Sequence, residues 1–494
     1  MTAAAVRSID LGRVLPDVAT AMAVMVGDLR LDSRDISPGD AFVAVSGRST
    51  HGLKHVESAI ARGAIAILHD PADRFEINLR ESVCVIPVPN LAARLGPIAD
   101  SAYGEPSAAI EVVGITGTNG KTTCAWLYAM CRDSNAAYLG TLGAGRPPHL
   151  TATTHTTADV ASIHRMLARF RDQGAVHAAL EVSSHALDQG RVCGVRLPIV
   201  AFTNLTRDHL DYHGSMAAYG AAKESLFAHP GVRQAVINID DAFGLEILGR
   251  LPAGVESLCV SLRTDAPKRG QYLVASRIEC RDKGLRVVGD SHLGAFSVDT
   301  QLVGRFNAEN LLVVLGLLLA SGLPLREATG RLAGVTAPPG RMEAFSALGG
   351  PLVVVDYAHT PDALDKALTA LRSHVSGHLY CVFGCGGDRD TGKRPLMAKV
   401  AEALADHVIV TDDNPRTEDP DQIIAMIVAA FSEGVSVRIE RDRELAIRSA
   451  VAQANPGDIV LIAGKGHEDY QIYGAESRHF SDREIAMELT RRAA

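Results

Sequence analysis

The sequence predicts an α/β protein of three domains, and three observations carry that expectation. Short β-branched runs such as PIVAFTNL, QAVINID, LYCVFG, DHVIVTDD and GDIVLIAGKG alternate with loops and amphipathic helical stretches, the pattern of largely parallel sheets. A chain of 494 residues, 47% hydrophobic, exceeds what one core organises. Two breaker-rich segments then divide it into 1–107, 108–337 and 338–494.

In chain order, the first division falls in SAYGEPSAAI, where Gly104 and Pro106 interrupt a helical pattern ahead of a strand. That strand feeds GITGTNGKTTCAW, Gly114 to Trp126, and then a helix-like run. Consecutive backbone N–H groups at a helix N-terminus bind anionic oxygens, and glycines permit the close approach. Lys121 can reach β- and γ-phosphates, and the Thr122 hydroxyl can ligate Mg²⁺. The usual G-x-x-x-x-G-K-[ST] pattern would place glycine at 115, where Ile115 stands between Gly114 and Gly117. A bare strand-to-helix turn is the alternative; the adjoining Lys-Thr and the strand-helix context favour nucleotide binding on a central sheet of the P-loop ATPase kind.

Further along, LEVSSHALDQGR puts Glu181 near a strand's carboxyl end, as a magnesium ligand or as a helix-capping carboxylate. TNLTRDHLDYHG gathers Asp208, His209, Asp211 and His213 after another strand, a density that suggests metal or phosphate work. Lys223, in YGAAKESLF, reads on pattern alone as a surface lysine. A helical run from Asn310 to Val335 ends at TAPPGRME, whose prolines and glycine make the second division before the strand-like PLVVVDYAH. In the last domain CGGDRDTGKRP offers Arg389, Lys393 and Arg394, TDDNPRTEDP offers Arg416, and AGKGHEDYQ offers Glu468 as a partner for an amine. Arginine forks suit carboxylates, although such runs also serve as solvated loop charge. Asp356, Gly384, Asp413 and Gly464 each close an apolar run, at the strand ends where parallel sheets place ligands.

A net charge of −8 with no block of like charges argues against nucleic acid or an anionic membrane as the main partner. The eight cysteines show no CxxC spacing, so neither zinc nor a disulfide framework is expected and a reducing cytoplasm fits. The N-terminus lacks a signal pattern, and the Ala/Val/Met run at 18–26 is too short to span a bilayer, so a soluble cytoplasmic protein is expected.

Nine motifs, GTNGKTT, EVSSH, TNLTRDHLDYHG, GRFNAENLL, GRME, VDYAHTPDAL, GCGGDRDTGKRP, DDNPRTE and AGKGHEDYQ, stand in one order over nearly the whole chain. In that order they resemble the Mur ligases, ATP-dependent amide-bond-forming enzymes of peptidoglycan synthesis. The likeness implies a UDP-binding N-terminal domain, a central ATPase domain and a Rossmann-like C-terminal domain. It is nearest the branch that adds meso-diaminopimelate to a UDP-N-acetylmuramoyl dipeptide through an acyl phosphate, and a monomer is expected. By that resemblance Leu31, Ser33 and the loop Arg48, Ser49 and Thr50 would contact the UDP moiety, with His155, Thr156, Thr157, Ser183, Gln189 and Arg191 on the sugar-peptide. Gly117, Thr118, Asn119, Gly120, Lys121, Thr122 and Thr123 would hold ATP, with Asn307 and Asn310 toward the adenine and Arg341 and Asp356 closing on the nucleotide. Thr122, Glu181 and His209 would stand about Mg²⁺. The resemblance also replaces the surface reading of Lys223 with a lysine carbamylated by CO₂, an anionic oxygen ligand for a hard metal. Arg389, Asp413, Asn414, Pro415, Arg416, Gly464 and Glu468 would hold the diaminopimelate.

Overall fold

The computed structural model describes residues 8–47, 51–73, 83–132, 135–153 and 155–491. Its first sheet has four parallel strands in chain order, Leu29–Arg30, Ala41–Ala44, Ala66–His69 and Cys84–Pro87. Successive side chains of a strand point to opposite faces, so Ala41 and Val43 enter one apolar cluster while Phe42 and Ala44 enter another. Both faces are covered, as an all-parallel sheet requires.

The central sheet has eleven strands. Seven consecutive ones are parallel: Ala136–Gly140, His177–Glu181, Glu111–Thr116, Ile199–Phe202, Gln234–Asn238, Glu256–Ser261 and Gln271–Arg281. Antiparallel strands finish each side, ending at the edges His149–Thr151 and Gly294–Thr300. Val113 and Ile115 face one core and Val112 the other, which accounts for the unbroken apolar run ahead of the glycine loop. The helix Phe306–Ala320 is buried on nearly every side, packed between the helix Lys121–Cys131 and the sheet. The single helical run expected from Asn310 to Val335 is in fact two helices, Phe306–Ala320 and Leu325–Ala333. Gly322, at φ +84°, turns the chain between them, and Pro324 caps the second.

The third sheet runs Glu343–Ser346, Leu352–Asp356, Ile459–Ala463, Leu379–Phe383, His407–Val410 and Val437–Ile439, parallel except for its first strand. Leu352 and Val354 pack on one face, Val353 and Val355 on the other. The parallel α/β architecture read from the sequence is thus the one observed. Polar contacts join the sheets' modules: Arg165 meets Asp28 at 3.3 Å, and His374 accepts from Gly304 N at 2.9 Å while its Nδ1 meets Arg281 O at 2.7 Å. Among the described residues no helix is long and apolar enough to cross a membrane.

Candidate active site

The strand Glu111–Thr116 opens at its carboxyl end into Gly117–Gly120 and then the helix Lys121–Cys131. Ile115, where a longer phosphate loop would carry glycine, is fully buried in the strand and paired with Glu181 and Ala201. The turn is correspondingly short. Gly117 sits at φ +146°, where a Cβ would lie 1.8 Å from Thr203 Oγ1. Gly120 precedes the helix at φ +87°, and a Cβ there would lie 2.4 Å from Asn310 Oδ1. The neighbouring strand's end holds the turn open: Thr118 N donates to Asn204 O at 2.8 Å, Asn119 N to Asn204 Oδ1 at 2.9 Å, and Thr203 Oγ1 to Asn119 O at 2.6 Å. Lys121, Thr122 and Thr123 open the helix, where backbone N–H groups have no preceding intrahelical acceptor and suit an anion. Behind them Asn310 Nδ2 donates to Asn307 Oδ1 at 2.8 Å, and Asn307 Nδ2 to Val303 O at 2.7 Å, so both amides are buried against the loop's back.

Two lysines converge on one carbonyl. Lys121 Nζ donates to Gly117 O and Thr118 O at 2.9 Å each, and Lys223 Nζ donates to the same Gly117 O at 2.8 Å. Lys223 is 1% exposed, which corrects the pattern reading of it as a surface residue. Its helix, Met216–Glu224, turns Tyr219, Gly220 and Lys223 inward on one face. Burial first, and then the Lys121 charge, push the Lys223 ammonium down to about 6, so near neutrality it is an amine.

Glu181 is fully buried. One oxygen accepts from Tyr138 OH and from Thr141 N at 3.0 Å; the other accepts from Thr122 Oγ1 at 2.9 Å and Thr141 Oγ1 at 3.2 Å. The following helix is capped by Ser183, which leaves Glu181 no capping role. A magnesium ion uses one or two carboxylates and completes its shell with phosphate and water, and the Thr122–Glu181 oxygen pair at the loop fits that donor set. Lys223, as a buried neutral amine, fits carbamylation. Among the described residues no three His, Cys, Asp or Glu side chains form a ready metal cluster. His209, at φ +51°, is about half exposed; its ring stands 4.8 Å from that of His185 and 6.0 Å from that of Tyr219, whose hydroxyl meets Thr118 Oγ1 at 3.2 Å.

Of the other expected residues, Thr156, Thr157, Ser183, Gln189 and Arg191 connect to this centre through hydrogen bonds. Thr157 Oγ1 donates to Glu181 O at 2.8 Å, Thr156 Oγ1 accepts from Thr141 Oγ1 at 3.1 Å, and Arg191 reaches Thr157 O at 2.7 Å and Gln189 Oε1 at 2.6 Å. Ser183 Oγ lies 3.3 Å from Thr157 Oγ1. His155 borders a cleft of about 590 Å³ lined by Arg146, Arg165, Arg169 and Asp159, which extends to Asp35 of the first module. Leu31 packs against the first core and Ser33 is nearly buried; Arg48, Ser49 and Thr50 lie outside the described residues.

From the third module, Arg341 lies over the Tyr357 ring at 4.8 Å, and its charge bears on Lys121. Asp356 accepts from Met342 N at 2.8 Å; burial pushes the pKa of its carboxyl above the usual carboxylate range, against the pull of Arg341. Arg416, at φ +55°, donates through its guanidinium to Gly387 O at 2.8 Å and through its backbone N to Ile472 O at 3.0 Å. Arg389 is exposed, and Arg394 is buried in an ion pair with Glu418 at 2.7 Å, a structural contact. Asp413, Asn414 and Pro415 are buried beside Gly464, where a Cβ would lie 2.6 Å from Asp413 Oδ2. Asn414 Nδ2 donates to Glu468 Oε2 at 3.1 Å. Sequence reasoning missed Tyr138, Thr141, Thr203, Asn204 and Tyr219, and the buried Arg443–Asp482 pair at 2.8 Å. It also passed over Lys465, although that lysine stands inside the AGKGHEDYQ motif.

A strand-glycine-helix turn beside a buried carboxylate, with an arginine charge of the third module bearing on its lysine, suits a nucleotide, and comparison with known proteins gives the class. Family models described as Mur ligase family, catalytic domain, Mur ligase middle domain, and Mur ligase, glutamate ligase domain match residues 27–103, 115–318 and 340–466. The chain belongs to the Mur ligase family. More particularly, it is 49% identical over 490 residues to UDP-N-acetylmuramoyl-L-alanyl-D-glutamate--2,6-diaminopimelate ligase of Xylella fastidiosa (strain 9a5c), covering 98% of this chain and 97% of that one. The protein of the same name from Alkalilimnicola ehrlichii is 49% identical over 475 residues, 94% of each chain. A solved structure of a ligase of that name superposes with a TM-score of 0.71 at 35% identity, covering 98% of this chain and 99% of the other.

Proposed function

We propose that this protein is an ATP-dependent ligase that joins meso-2,6-diaminopimelate to the D-glutamate of UDP-N-acetylmuramoyl-L-alanyl-D-glutamate, releasing ADP and phosphate. The observation that carries the reading is 49% identity spread over 98% of the chain, which takes in the motifs on all three sheets. Residues 1–107 would bind UDP, 108–337 ATP and 338–494 the incoming amino acid. A step that spends ATP on a UDP-linked precursor belongs in the cytoplasm, and one chain supplies all three modules, as a monomer would need.

A carboxylate resists attack by an amine because its carbon is poorly electrophilic. Transfer of the γ-phosphoryl group from ATP to a carboxylate oxygen gives an acyl phosphate and ADP; the amine then adds to the acyl carbon, and the tetrahedral adduct expels phosphate. Lys121 offsets the repulsion between the two anions, and the backbone N–H groups of Gly117–Thr123 hold the phosphate oxygens. Asn307 and Asn310 would support the adenine side, with Arg341 and Asp356 closing from the third module. Mg²⁺, held by Thr122, Glu181, His209 and Lys223 as its carbamate, would neutralise phosphate charge when bound. Carbamylation would turn the neutral Lys223 amine into an anion beside Lys121, which adds an attraction where a second ammonium would repel. Leu31, Ser33, Arg48–Thr50, His155–Thr157, Ser183, Gln189 and Arg191 would meet the UDP-sugar-peptide, and Arg389, Asp413–Arg416, Gly464 and Glu468 the diaminopimelate.

The test is mass spectrometry of products from purified protein, ATP, the UDP-muramoyl dipeptide and a panel of amino acids. One new species, heavier than the dipeptide by one diaminopimelate residue, is expected. Phosphate release without any amide product would overturn the reading.

A further inference from the structure

Lys465 is 0% exposed, yet it follows a strand end in the third module, beside the candidate amino-acid residues. Its Nζ reaches Asn414 Oδ1 at 3.3 Å and Glu468 Oε2 at 3.4 Å, and lies 5.3 Å from the Tyr470 ring centre. Asn414 Oδ1 also accepts from Ile472 N at 3.1 Å. Two donors on one amide oxygen fix the orientation of that amide, so Asn414 Nδ2 must face Glu468, to which it donates at 3.1 Å. Glu468 Oε2 is thereby occupied by Lys465 and Asn414, while Oε1 meets Tyr357 OH at a long 3.5 Å and the Tyr470 hydroxyl also bonds the carboxylate. Lys465 and the Asn414 amide both sit on Oε2, so Oε1 is the oxygen without a cation.

We propose that Lys465 is a positioning residue for the amino-acid substrate, fixing Asn414 and Glu468 so that Glu468 presents one oxygen to the substrate's ammonium group. The inference rests on the proposed function, and adds to it a residue that acts through others. Lys465 is held where it lies by long contacts. Its two polar contacts are longer than the roughly 2.7–2.9 Å of an optimised charge-assisted bond. Burial pulls the ammonium below its ordinary range, and the nearby Arg443 charge adds to that, opposed by Asp413 and Glu468. Removing the lysine leaves Glu468 without its cation, a stability loss that a structural role and a positioning role would share. What separates a positioning role from a structural one is therefore a selective rise in the KM for diaminopimelate.

The test compares the parent protein with Lys465→Met in steady-state ligation and thermal unfolding. The expected result is a KM for diaminopimelate raised about tenfold or more, the loss of one charge-assisted contact network. The KM for ATP should stay within about twofold in the folded variant, whose Tm reports the cost of leaving Glu468 without its cation. If the KM for diaminopimelate does not move, or rises only together with that for ATP, the inference is wrong. Should Lys465→Met not fold, Lys465→Gln is measured in the same way; failure of both to fold makes Lys465 a structural residue and overturns the proposal. Absence of amide product from the parent protein instead removes the proposed function, and this inference with it, whereas product with an unmoved KM removes the inference alone.

Discussion

At the residue scale, the two lysines on Gly117 O carry the sharpest expectation. Lys223→Ala removes a buried amine, and with it the carbamate that the proposed chemistry needs, so metal-dependent turnover should fall by orders of magnitude. A small carboxylic acid added to the assay should restore part of it, because the missing part is an anionic oxygen. Unimpaired turnover of the folded variant would strip Lys223 of any role. Arg416 tests substrate choice. meso-Diaminopimelate differs from L-lysine by a second carboxylate, and a guanidinium–carboxylate pair contributes about 1.5–3 kcal/mol in a partly dry cleft. Arg416→Ala should therefore raise the KM for diaminopimelate more than tenfold and leave that for ATP nearly unmoved; steady-state kinetics with both substrates decide it. Much of this centre was legible because Gly117, Lys121, Thr122 and Glu181 stand at the ends of apolar runs. Tyr138 was not, since nothing in its local sequence marks it and its partner Glu181 lies 43 residues away. Lys223 was misread from pattern alone because a lone lysine among alanines gives no sign that its helix packs with that face inward.

At the element scale, parallel strands were readable from their two-sided burial, which makes the runs continuously apolar. Helix ends were less so: the division between Phe306–Ala320 and Leu325–Ala333 depends on Gly322 taking φ +84°, and glycine within an apolar helical run need not do so. The C-terminal helix Asp482–Arg491 is tied to the third sheet by a different device. Asp482 pairs with Arg443, both fully buried, and Arg443 in turn donates to Ala463 O at 2.9 Å, just ahead of Gly464. Asp482→Ala leaves an uncompensated buried guanidinium and should cost about 3–5 kcal/mol. Chemical denaturation of the variant against the parent measures this; a cost under about 1 kcal/mol, the scale of an exposed pair, would show the helix to be held by its apolar face alone.

At the scale of the whole molecule, His374 links the second and third modules through a tautomer. Gly304 N donates to Nε2, so Nδ1 carries the proton and donates to Arg281 O. Burial lowers the imidazole below its ordinary value of 6.5, the bond to Arg281 O and the Asp282 charge notwithstanding. The sign follows: the unfolded chain takes up a proton first, so the stability that neutral His374 contributes is present above about 6.5 and is lost as the pH falls below it. Each unit of depression contributes about 1.4 kcal/mol. Thermal unfolding between pH 8 and 5 should show a steeper loss for the parent than for His374→Gln, whose amide can make both contacts without titrating; equal slopes would remove the linkage. The wide central sheet has one more consequence, for the chain's behaviour in a crowded solution. An open sheet exposes unpaired backbone only along its two borders, and such borders template aggregation. Here one border is the three-residue His149–Thr151 behind Pro147 and Pro148, and the other, Gly294–Thr300, carries Asp299 bound to Arg281 at 2.6 Å. Brevity on one side and charge on the other leave no long, flat, apolar ribbon on which a second copy could grow.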